Sequence, residues 1–136
     1  MIVNYYYQRL IRNVEPIRLR GVEYLTVKLN ERAFQHAKHL VQKGSCVSDD
    51  KDKWSEHQPS SEEENKYIEK NGMDEFGNWY LGIDTDENED SKGRYKFPYG
   101  DFKRVHRCGV LSAESRAGQY KHFDIEKASG AFARYD

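Results

Sequence analysis

The residues able to do chemistry are few and scattered. His57 sits in Trp54-Ser55-Glu56-His57-Gln58-Pro59, where an imidazole lies beside a carboxylate, a hydroxyl and an indole. That mixture is common in functional loops, and histidine is the side chain whose charge changes near neutral pH. The other histidines are His36, His39, His106 and His122, and the cysteines are Cys46 and Cys108. His36 and His39 are three apart, on the polar side of a helical pattern, with no cysteine or carboxylate close in sequence. His106 and Cys108 are two apart in what reads as one helix. They would project about 200° apart and could not share an ion. Nothing in that reading puts Cys108 at a helix N-terminus, where a thiolate nucleophile would be favoured. The expectation is therefore no catalytic residue, no metal ligand set and no cofactor. Asp84-Thr85-Asp86-Glu87-Asn88-Glu89-Asp90 places oxygens at alternate positions, as a calcium loop does. Glu89 and Tyr95 stand where that loop needs Gly and Glu, so it reads as a solvated acidic turn.

A second pattern runs from Lys92 to Lys121. Lys92, Arg94, Lys96, Lys103, Arg104 and Arg107 alternate with Tyr95, Phe97, Tyr99 and Phe102, and Arg116, Gln119, Tyr120 and Lys121 extend the set. Cations interleaved with rings suit phosphates and stacked bases. The same aromatics are needed for a core in so polar a chain. Phosphate-binding glycine loops, a Gly-x-Ser-x-Gly elbow and a supported carboxylate pair are all absent.

The elements that must carry these residues read as follows. Met1–Val14 and Glu23–Leu29 have strand composition, the latter alternating Leu25, Val27 and Leu29 against Tyr24, Thr26 and Lys28. Asn30 to Gly44 is a helix with Ala33, Phe34, Ala37, Leu40 and Val41 on one face. Residues 45–61 are a loop pinned by Trp54. Ser60 or Ser61 caps a polar helix over Glu62–Lys70, ended by Asn71-Gly72. Phe76–Ile83 is extended. Asp101 caps a helix from Phe102 to about Ala117, and Asp124 caps a last one bearing Ile125, Ala128 and Phe132, so the chain ends in a helical hairpin. The fold class is α+β: a small antiparallel sheet with a packed helix, then a polar helix and the hairpin. One domain spans 1–136, divided into 1–44, 45–91 and 92–136.

Charge follows the same division. The 136 residues carry a net charge of −1, distributed as +5 over 1–48, −11 over 49–91 and +5 over 92–136. An acidic middle folded against basic flanks balances most of these charges internally. Mean hydropathy is −1.01, yet aromatics reach 13%, which argues against disorder. No apolar run approaches a membrane span, Met1–Tyr7 lacks the features of a secretion signal, and two cysteines make no disulfide framework. The expected location is the cytoplasm.

Three stretches, Trp54–Ser60, Arg94–Phe102 and Ser115–Tyr120 with Asp124-Ile125-Glu126, together resemble a small stand-alone family of uncharacterised bacterial proteins, over about Asn30 to the C-terminus. Tyr80–Lys127 also resembles a segment of tailed-phage head-morphogenesis proteins. The resemblance implies prophage ancestry and no particular activity. We read the chain as a non-enzymatic binding or interaction domain for a protein or small ligand. The surface joins Trp54, His57, Arg94, Tyr95, Tyr99, Arg107, Arg116 and Gln119. A nucleic-acid binder using Lys92–Lys121 is the second reading. The third is a hydrolase or metal enzyme, which needs His57 and His106 to converge.

Overall fold

The computed structural model describes residues 26–134. The expected strands before Thr26 lie outside the described residues. Within them, three strands form an antiparallel sheet in the order β1-β3-β4: β1 is Val27–Leu29, β3 Tyr80–Asp84 and β4 Tyr95–Pro98. Val27 pairs with Asp84 and Gly82 with Lys96. A separate parallel pair joins β2, Cys46–Val47, to β5, Val105–His106. The fold is α+β, as read from the sequence.

Helix α1, Glu31–Gln42, packs its Ala33, Ala37, Leu40 and Val41 stripe into the core. Phe34, read from the sequence as part of that face, is only partly buried and tilts against Phe132 at 5.3 Å. Asn30 begins this helix but does not cap it. Its buried amide donates instead to Gly77 and Tyr80 carbonyls at 2.9 and 3.0 Å, clamping α1 to the entry of β3.

The expected loop over 45–61 holds a 3-10 turn, Lys51–Lys53, and one α-helical turn, α2, Trp54–His57. Trp54 is buried, as a loop anchor should be. Helix α3, Ser61–Asn71, starts with a complete capping box between Ser60 and Glu63. A short helix α4, Met73–Gly77, follows it and holds Phe76, which the sequence had suggested was extended.

The largest departure is at 101–107. Asp101 does accept backbone N–H bonds, from Lys103 and Arg104 at 3.0 and 2.7 Å, but it caps a turn rather than a helix. Phe102 takes φ +70°, a left-handed conformation that no helix interior allows, and stacks on Tyr67 at 4.4 Å. The chain then runs extended through β5. Helix α5, Arg107–Gln119, begins five residues later than expected. It pairs with α6, Phe123–Ala133, in the predicted hairpin. Asp124 lies inside α6 and accepts the Leu29 N–H at 2.9 Å, tying the hairpin to β1. No helix among the described residues is long and apolar enough to cross a membrane.

Candidate metal centre

The late start of α5 changes the geometry of His106 and Cys108. His106 ends β5 and is the N-cap of α5, and Cys108 is the second residue of that helix. They are not two positions on one helix, so the expectation that they point apart fails. The parallel β2–β5 pair brings Asp49, two residues past β2, to the same place. Trp54, buried against Gly109 of α5, holds the single turn of α2 so that His57 faces inward. An alanine Cβ at Gly109 would meet Trp54 at 2.9 Å and the Tyr99 carbonyl oxygen at 2.8 Å, so this close approach requires glycine.

Four donor atoms, one each from Asp49, His57, His106 and Cys108, lie within 4.8 Å of one another. Asp49 Oδ2 is 2.7 Å from His106 Nδ1 and 2.8 Å from His57 Nδ1. Cys108 Sγ is 3.5 Å from His57 Nδ1. Asp49 Oδ1 accepts the Cys108 backbone N–H at 2.8 Å. Behind this group, Asp101 Oδ2 lies 2.9 Å from His106 Nε2. The two imidazoles are 5.0 Å apart between centroids.

Burial opposes charge on Asp49, but hydrogen bonds from Cys108 and His106 outweigh it and hold the carboxyl at about 2. Asp101 is likewise lowered, burial being overcome by His106 and by the Arg104 and Lys103 N–H groups. The Cys108 thiol goes the other way. Burial, reinforced by Asp49, pushes it up to about 12. The Cys108 side chain is 0% exposed, and burial disfavours its thiolate form.

These donors suit one kind of partner. Cysteine, histidine and aspartate around a common centre are ligands for zinc and related ions. Bond lengths of about 2.0–2.3 Å imply ligand–ligand edges of about 3.3–3.6 Å in a tetrahedron. The sulfur–nitrogen separation already matches, and the oxygen–nitrogen pairs need to part by less than about 1 Å. A bound cation also removes the thiol proton that burial retains. Asp101 behind His106 reproduces the carboxylate–histidine pairing that fixes a ligating ring. The alternative is a hydrogen-bonded network with no ion. It needs a proton on both His106 nitrogens, since each faces a carboxylate oxygen, and leaves Asp49 Oδ2 to serve two rings.

The surface expected from the sequence divides. Trp54 and Arg116 share the lining of a cavity of about 320 Å³. Arg94 and Tyr95 line a different one, of about 220 Å³, where Arg32 and Arg94 meet Asp74 and Glu89. Tyr99 is fully buried and donates to the Asn78 carbonyl at 2.6 Å, so it cannot meet a ligand at the surface. Arg107 bonds the Ala133 carbonyl at 3.3 Å, and Gln119 is exposed at the end of α5. Of the eight, only His57 belongs to the centre. Asp49 and Asp101 were missed as members of the site: Asp49 reaches it only through the β2–β5 pairing, and Asp101 only because a turn, not a helix, follows it.

No family model, no curated protein and no solved structure matches the chain.

Proposed function

We propose that the protein is a non-enzymatic metal-binding domain, taking one zinc-class divalent ion at Asp49, His57, His106 and Cys108. The reading rests on one observation: four donor atoms of the right chemistry converge from three separate segments to within 4.8 Å. Four protein ligands complete a tetrahedral shell, and with His106 and Cys108 buried the site has the closed form of structural rather than catalytic zinc. The ion would fasten residues 49–57 to the head of α5.

The test is elemental analysis of protein purified under reducing conditions, with Co²⁺ titration of chelator-treated protein. One ion per chain is expected, with tetrahedral cobalt bands and a thiolate charge-transfer band. Cys108→Ser should remove that band, while Cys46→Ser, at an exposed thiol, leaves it. Failure to take up one equivalent of Zn²⁺ or Co²⁺, or an unchanged spectrum in Cys108→Ser, overturns the reading.

A further inference from the structure

The cavity of about 320 Å³ lies between β4, α5 and the α5–α6 turn, and Trp54 separates it from the metal centre. Its charge is one-sided. Lys96 enters from β4 and Arg116 from α5, and no carboxylate lines it among the described residues. The cavity at Arg94 is different, because its two arginines face two acids. Lys92 is also neutralised, by Glu64 at 2.9 Å. In a chain whose middle carries −11, two cations left facing one hollow are a selective feature.

The walls are aromatic. Trp54, Phe97 and Tyr120 line the hollow, with Gln58 and Ser112 as polar groups between them. Phe97 takes φ +65°, a costly conformation for an aromatic residue. Its ring packs where a Cβ on Gly82 would come within 2.7 Å, and against His122 at 5.8 Å. Tyr120 is the one large hydrophobic side chain exposed among the described residues, at 39%. The hollow continues past Arg116 into a second of about 390 Å³, which adds Lys51 together with one carboxylate, Asp52.

We propose that this cavity binds a nucleoside monophosphate unit, its phosphate on Arg116 and Lys96 and its base against the aromatic wall. An arginine fork matches phosphate oxygens, lysine adds a mobile point charge, and rings stack on any base. A volume of about 320 Å³ falls at the small end of ligand pockets. The unit is either a free nucleotide or the 5′-phosphorylated end of a strand, which the second hollow would accommodate. The proposal does not require the metal reading.

The experiment is calorimetric titration at low salt, with metal-loaded and with chelator-treated protein. The probes are the four ribonucleoside monophosphates, adenosine, inorganic phosphate and a 5′-phosphorylated tetranucleotide. At least one mononucleotide is expected to bind in both preparations, and adenosine and phosphate at least about tenfold more weakly. Arg116→Gln and Lys96→Gln should each weaken binding about tenfold or more, Arg116→Lys less, and Lys43→Gln not at all. Tighter binding of the tetranucleotide, with the same losses, assigns the unit to a strand end. Absence of nucleotide binding, phosphate binding as tightly as nucleotide, or full affinity in Arg116→Gln overturns the proposal. Metal uptake is measured separately, so either reading can fail alone.

Discussion

Asp101 has two tasks on its two oxygens. Oδ1 accepts the Lys103 and Arg104 N–H groups and shapes the turn, while Oδ2 faces His106 Nε2. Asp101→Asn can keep the first task. It places an N–H₂ group opposite Nε2, which favours the tautomer with the proton on Nδ1, the atom that must face the ion. Metal affinity should fall by about 10–100-fold with the fold retained. Competition against a chromophoric chelator measures this, and unchanged affinity would remove Asp101 from its positioning role. At this scale the sequence was half legible. His57 stood out by its neighbours, and Trp54 was correctly read as an anchor. His106 and Cys108 were discarded because helical spacing was assumed for both. The positive φ of Phe102, which ends that assumption, goes with stacking on Tyr67 from a distant helix, a contact with no mark in local sequence.

Among the elements, α1 and the α5–α6 hairpin are legible from apolar spacing and α3 from its capping box, because those determinants are local, whereas the caps expected at Asn30, Asp101 and Asp124 are not the ones used. The two-residue strands β2 and β5 do not, since so short a run has no period to detect. Helix α3 has no buried residue and owes its position to edge contacts such as Tyr80 Oη donating to Glu64 at 3.0 Å. Its start therefore depends on the capping box. Ser60→Ala should cost about 1 kcal/mol, lowering Tm by about 3–5 °C in a domain of this size. Thermal unfolding followed by circular dichroism checks this. No shift would mean that tertiary contacts alone hold the helix.

For the molecule as a whole, the acidic middle meets the basic C-terminal third through the ion pair of Lys92 with Glu64, and Asp49 of the middle lies within hydrogen-bond distance of His106. The other ion pairs among the described residues stay within one third of the chain, such as Arg104–Asp101 and Arg134–Glu114. Acid should act in two stages. Burial lowers the pKa of His36 and of His122, so the unfolded chain binds protons that the native state refuses. Stability is then full above the ordinary histidine value and falls as pH drops below about 6.5. Asp49, held at about 2, contributes stability that is lost only from about 4 downward. Urea midpoints of chelator-treated protein at pH 8, 6 and 5 should decline, and His36→Gln should flatten the decline. A flat profile in the parent protein would contradict the lowered pKa of half-buried His36 and buried His122.

The topology gives the centre a further property. Asp49 and Cys108 are 59 residues apart in the chain, and their contact exists only because a parallel strand pair returns the chain to its earlier segment. An ion held from both sides would be a removable cross-link, closing a loop that a disulfide would otherwise have to close. Unlike a disulfide, it could be opened by a chelator and closed again without oxidising Cys108.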